Sequence, residues 1–351
     1  MGDLLMSSPA IAALKKTFGA KITVLTSSMA QGIANLIPCI DEVIVYDVPW
    51  VKLEKQDPRS FFELVDLLKN RPFDGAVIFT VFSQNPMPSI MLSYWANIPR
   101  RLAYCRENPY HLLTDWVPDP EPYSLIRHQV RRDLELVFQV GARIEDDSLQ
   151  VQLSPDEWPT AKSKLRGLGL NLEKPFVIIH PGVSEKKRAY NLSHWIEIVG
   201  LISANLHQQI VITGAASEKE ITSSISSGAA VPVIDAAGSL SLKEFISTVK
   251  NAAAVISVNT GTIHIAAATR TPVIVFYALT NPQHTPWKAK GNIFPFDVPE
   301  ELRSHNEILK YVYATSFAGE KKEISPADVV AALALILQGK SVPIPELVLI
   351  R

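Results

Sequence analysis

From Pro175 onward the chain repeats one pattern that leaves few folds open. Short, β-branched apolar runs at 176–180, 209–213, 231–235, 252–257 and 272–277 alternate with helix-length segments at 193–205, 217–226, 241–251 and 262–269. Strands separated by a helix can pair in parallel, and helices laid over both faces leave the strands apolar throughout, so the pattern predicts a doubly covered parallel sheet. The first half alternates in the same way. A helix from Asp3 to Phe18 with a Gly19 stop leads to a buried strand at 21–26, strands at 41–47 and 74–80, and a helix from about Arg59 to Lys69 between the last two. Next come a helix over 89–96, short edge elements at 101–105 and 112–117, and a long amphipathic helix from Glu121 to Val140 that Gly141 stops.

A doubly wound unit starts with a strand that feeds its first helix, yet none precedes Gly2-Asp3. The expectation is a first domain whose first strand is missing, in a chain truncated before Met1. The expected division is a first domain over 1–150, a connection over 151–174 marked by Ser154-Pro155 and Trp158-Pro159, a second domain over 175–323, and a C-terminal helix and tail over 324–351. That last helix starts with Ser325 as N-cap and Pro326 at the first helical position, and buries Val329, Leu333 and Ile336.

Composition narrows the function classes. A length of 351 residues with 47% apolar residues suffices for two ordinary cores. A net charge of -1 provides no basic field for nucleic acid. Cys39 and Cys105 have no paired spacing, which argues against a disulfide framework or thiolate zinc site and fits a reducing, cytoplasmic setting. Apolar runs such as 273–279 and 329–337 fall short of the roughly 18 to 20 residues of a spanning helix. Asp-x-Asp, His-x-x-x-His, Gly-x-Ser-x-Gly and Walker patterns are all absent from the sequence, so no metal site is expected.

Four places carry candidate chemistry. His180-Pro181-Gly182-Val183-Ser184 ends a strand and runs into Glu185-Lys186-Lys187-Arg188, a combination suited to a diphosphate and equally to a turn with a solvated charge run. Gly214-Ala215-Ala216-Ser217-Glu218 follows the next strand; Glu218 can accept from ribose hydroxyls, or Ser217 can simply cap a helix. Asn259-Thr260-Gly261, with His264 in the first helical turn, offers backbone N–H groups, hydroxyls and an imidazole to one anion. Asp3, in the first turn of the opening helix, either complements the helix dipole or serves as a general base. Arg100-Arg101 and Arg127, Arg131 and Arg132 form basic groups that suit an anionic acceptor or membrane surface, or merely solvated helix faces.

Taken in order, these motifs resemble glycosyltransferase family nine, the lipopolysaccharide heptosyltransferase family. The resemblance rests on Gly-Asp-Leu-Leu-Met-Ser-Ser-Pro-Ala at 2–10, the segments at 180–184, 214–218 and 259–264, Ser-Leu-Ser-Leu at 239–242, Tyr-Ala-Leu-Thr-Asn-Pro at 277–282 and Ile-Ser-Pro-Ala-Asp-Val at 324–329. It implies a GT-B fold of two Rossmann-like α/β domains with parallel sheets facing across a cleft. It also implies inverting, metal-independent transfer of a heptose from a nucleotide-diphosphate sugar, ADP-heptose by analogy, to a lipopolysaccharide-type or other cell-surface glycan or glycolipid. The resemblance makes Asp3 the base, and Ser184 with Lys187 or Arg188 the group that neutralises the diphosphate. It places Glu218 on the nucleoside, Leu240 at the base pocket, and Thr260, Gly261 and His264 on the diphosphate and sugar, with His180, Gly182 and Asn259 in the same binding set. Asn259 stands where the family commonly has Asp, and Ala189-Tyr190-Asn191 replaces a more usual Trp-Pro. No other cofactor and no nucleic-acid partner is expected, and the expected state is a monomer at the inner face of the cytoplasmic membrane. The alternatives are a nucleotide-sugar-binding relic without catalysis and a GT-B nucleotide-sugar epimerase.

Overall fold

A computed structural model describes residues 1–51, 57–317, 323–346 and 348–350. Asp3–Asp147 together with 348–350 form one compact unit and Ser148–Glu346 a second.

In the first unit, α1 (Gly2–Phe18) ends at Gly19, whose left-handed φ of 60° lets its N–H close on the Lys15 carbonyl. β1 (Thr23–Thr26), α2 (Ser28–Ala34) and β2 (Glu42–Val45) follow. Next is α3 (Pro58–Lys69), started by an Asp57 cap and Pro58 at its first position. β3 (Gly75–Ile78), α4 (Met87–Trp95), β4 (Arg100–Cys105), β5 (Asp115–Pro118), β6 (Leu125–Arg127) and α5 (Gln129–Phe138) complete it. β1 and β2 pair in parallel, and β3, β4 and β5 form a separate parallel sheet.

Three expectations change here. β1 is half-buried rather than buried, since it pairs only with β2 in a two-stranded sheet. β4 is the central strand of its sheet, not an edge element, and Arg101–Cys105 are buried between β3 and β5. The helix expected over 121–140 begins only at Gln129. Pro120 and Pro122 disfavour helical backbone in the residues before them, and the His128 imidazole caps α5 by accepting from Val130 N at 3.1 Å.

The second unit starts with α6 (Glu157–Gly167), which packs on a later helix of the same unit. Then come β7 (Phe176–His180), α7 (Leu192–Leu206), β8 (Gln209–Ile212), α8 (Lys219–Gly228), β9 (Ile234–Asp235), α9 (Leu242–Asn251), β10 (Ala254–Val258), α10 (Gly261–Thr269) and β11 (Val273–Ala278). β12 (Gly291–Phe296), α11 (Glu307–Val312) and α12 (Pro326–Leu337) follow; β13 (Val348–Ile350) belongs to the first unit, where it pairs antiparallel with β6. The strand expected over 231–235 shortens to two residues, and β12 lies in a stretch that carries no strand expectation. Its Pro295 suits an edge strand, and its Gly291, at φ 142°, lies so close to β11 that a Cβ would sit 1.8 Å from the Val273 carbonyl oxygen.

The six strands run in the order β9-β8-β7-β10-β11-β12, all parallel. Numbered along the chain this is 3-2-1-4-5-6, the Rossmann order, with its direction reversing between β7 and β10. The core beneath that reversal is dry. Val177, Ile179, Ile210, Ile212, Ile256 and Ile274 from the sheet meet Trp195, Ile198 and Ile202 of α7 and Leu333 of α12, all fully buried. At roughly 1.5–3 kcal/mol per large apolar side chain, this packing fixes the strand ends from which the site is built.

Candidate functional site

Ligands of open parallel sheets bind beyond the carboxyl ends of the strands where the strand order reverses. Here those ends are His180 on β7 and Val258-Asn259 on β10.

On the β7–β8 side, the His180 Nδ1 lies 3.0 Å from the Thr213 hydroxyl and its ring packs on Phe245 at 5.4 Å between centroids. Burial pushes its pKa down to about 4, so the imidazole is neutral at physiological pH and can hydrogen-bond but not counter a charge. Gly182 leaves room for the Glu218 carboxylate, which a Cβ there would approach to 2.2 Å and displace. Glu218 is held over it by accepting from Ala215 N at 2.7 Å. The Gly238 N–H donates to the Gly214 carbonyl at 2.9 Å, joining the β9 loop to the β8 loop. Leu240, half-buried, sits just before Ser241, which caps α9 in a reciprocal box with Glu244. Small residues, a neutral ring, an apolar side chain and a carboxylate thus lie along one side of the sheet end, a set suited to a nucleoside.

On the β10 side, α10 begins at Gly261 with no side chain capping it, and the Thr260 hydroxyl turns back to the Val258 carbonyl instead. The first-turn N–H groups therefore face the strand end, with His264 buried one turn in. Arg188 reaches this point and donates from Nη1 to the Asn259 carbonyl at 3.1 Å. It also lies near Tyr277, whose hydroxyl donates to the Asn281 carbonyl; burial raises the Tyr277 pKa and Arg188 pulls it back. Lys187 and Arg188 both contact Glu185, at 2.6 and 2.9 Å, and Ser184 is exposed beside them.

Asn259 has a structural task. Its side chain accepts from Ala278 N at 3.1 Å and donates to the Ala278 carbonyl at 3.3 Å, closing the end of β11 onto β10. An amide supplies both a donor and an acceptor there, whereas an ionised carboxylate could only accept. Its backbone carbonyl, not its side chain, is what Arg188 holds.

The second unit therefore gathers His180, Gly182, Glu218 and Leu240 along one side of the sheet end and Lys187, Arg188, Asn259, Thr260, Gly261 and His264 along the other, with Ser184 on the β7 loop between. Asp3 belongs to the first unit, exposed in the first turn of α1. Thr213, Phe245 and Glu185 were not singled out by sequence. Thr213 and Phe245 look like ordinary strand and helix residues, and Glu185 disappears into a charge run. Among the described residues no group of three or more His, Cys, Asp or Glu is placed to hold a metal ion. No helix among them is long and apolar enough to cross a membrane.

Two parallel-sheet α/β units, the second with the Rossmann strand order and an anion-suited strand end, match the GT-B fold. The model of glycosyltransferase family 9 (heptosyltransferase) matches residues 63–308, and the chain belongs to that family. It is 25% identical over 297 residues to lipopolysaccharide heptosyltransferase 2 of Salmonella typhimurium, covering 82% of each chain. Its fold is similar to that of a family 9 glycosyl transferase from Veillonella parvula, with a TM-score of 0.75, 17% identity and coverage of 96% of this chain and 94% of that one. It is similar also to E. coli ADP-heptose lps heptosyltransferase II, with a TM-score of 0.69, 20% identity and coverage of 97% and 96%.

Proposed function

We propose that this glycosyltransferase moves a heptose from ADP-heptose to a lipopolysaccharide-type acceptor at the inner face of the cytoplasmic membrane, with inversion at the transferred carbon. The second unit is the donor domain and the first the acceptor side. The observation that carries the reading is Arg188, held by the Asn259 carbonyl at the uncapped N-terminus of α10.

The acceptor hydroxyl oxygen attacks the anomeric carbon from the face opposite the diphosphate. The carbon–oxygen bond to the diphosphate breaks and its electron pair leaves with the phosphate oxygen. Negative charge grows on the diphosphate in the transition state, and the α10 N–H groups with Lys187 and Arg188 are the groups that stabilise it. The acceptor's proton passes to the Asp3 carboxylate. Glu218 takes the ribose hydroxyls, Leu240 lines the base, and His264 and Thr260 contact the diphosphate and sugar.

A thermal-shift panel of ADP-, GDP-, UDP- and dTDP-sugars tests the donor site, because a ligand that binds only the native state raises its melting temperature by mass action. ADP-heptose is expected to raise it most, and Arg188→Ala to shrink that shift with the ligand-free melting temperature little changed. A panel flat for every nucleotide would overturn the reading.

A further inference from the structure

A deeply buried acid outside the donor site is Asp133 on α5, 1% exposed, beneath the first two turns of α1. Its Oδ2 accepts from the Ser7 hydroxyl at 2.6 Å and its Oδ1 from the Gln129 side-chain amide at 2.8 Å. The same Ser7 hydroxyl lies 3.2 Å from the main-chain carbonyl of Asp3, one turn earlier. One hydroxyl thus stands between the buried acid and the residue read above as the general base. The adjacent Arg132 directs its guanidinium to Asp119, Glu121 and the Thr80 carbonyl rather than to Asp133.

We propose that Asp133 is a positioning residue for Asp3: through Ser7 it fixes the first turn of α1, from which Asp3 projects, and its charge sets which way the Ser7 hydroxyl points. The inference rests on the reading of Asp3 as the base. The groups facing Asp133 are Ser7 and Asp3 from α1, and Gln129 and Arg132 from α5. Burial pushes its pKa up to about 7; Ser7, Arg132 and Gln129 pull it down, and the charge of Asp3 adds to the rise. When Asp133 is ionised, Ser7 donates to it. When Asp133 is protonated, the direction reverses: its hydroxyl donates to Ser7, and Ser7 donates to the Asp3 carbonyl, which re-sets the turn that carries Asp3.

The test is a carboxyl carbon-13 NMR titration of the full chain from pH 4 to 9. In the wild type the Asp3 signal should show a second inflection near pH 7 that follows the titration of Asp133. Asp133→Asn should remove that inflection, and with it the inflection near pH 7 in kcat for transfer from ADP-heptose to lipopolysaccharide. Ser7→Ala deletes a donor to the ionised form, so the Asp133 midpoint should move up. An Asp3 titration identical in wild type and Asp133→Asn, together with an unmoved midpoint in Ser7→Ala, would overturn the proposal. Failure of the underlying reading looks different: Asp3→Asn would then transfer at the wild-type rate while the NMR coupling persisted.

Discussion

The two units solve the placement of polar groups in opposite ways. In the second, the core is apolar and the polar residues stand at strand ends, where loops are tied together by Ala215 N–H to Glu218, Gly238 N–H to the Gly214 carbonyl and Arg188 to the Asn259 carbonyl. In the first, charges lie inside. Arg132 is 1% exposed and pairs with Asp119 and Glu121, themselves nearly or fully buried, with Tyr104 4.5 Å beneath the guanidinium. The contrast separates two uses of polar groups: in the second unit they tie loops together at the strand ends, whereas in the first they are part of the packed scaffold.

The sharpest way to break this comparison is Arg132→Met, which strands two buried carboxylates. A loss of about 3–5 kcal/mol in urea denaturation is expected. Ile256→Val in the apolar core of the second unit should cost only about 0.5–1.5 kcal/mol. Equal costs would mean that the first unit's network is solvated and does not hold the fold. Next in size is Asn259→Asp, which puts a carboxylate against the Ala278 carbonyl in place of a donor. It should destabilise by about 1–3 kcal/mol. A variant as stable as the wild type would show that the Asn259 side chain serves the donor rather than the fold.

The units should also differ in the sign of their pH dependence. His180 has a folded pKa of about 4 against 6.5 unfolded, so its neutral form contributes stability that is present above about pH 6.5 and lost as pH falls toward 4. Asp133 has a folded pKa of about 7 against 3.8 unfolded, so its protonated form contributes stability that is present below pH 3.8 and lost as pH rises through 7. Melting temperatures measured from pH 4 to 8 should therefore lose their acid-side slope in His180→Gln and part of their neutral-side slope in Asp133→Asn. The same change in both variants would remove the distinction.

How far the sequence could be read follows the same divide. Strand β7 lies over the residues its apolar pattern indicates, and Ser325-Pro326 starts α12 as its cap chemistry requires. The donor-side candidates gather at one sheet end because strand, glycine turn and helix start are local signals. The first unit resisted reading. An apolar period over 121–140 concealed the non-helical stretch before Gln129, and β4 reads as an edge because a strand's neighbours are not written in its own residues. Asp133 sits on a helix of ordinary composition, and its importance comes from Ser7, 126 positions away. Asn259 was visible, but its pairing with Ala278 depends on the adjacency of two strands, which no local pattern records.

The central claim, donor binding in one unit and proton removal by the other, is tested most directly in Asp3→Asn by titrating ADP-heptose calorimetrically and measuring transfer to lipopolysaccharide in the same preparation. The account expects a dissociation constant within about twofold of wild type and a transfer rate lower by about 10²–10⁴, the range for losing a general base. Undiminished transfer would contradict it, as would a loss of donor binding equal to the loss of rate.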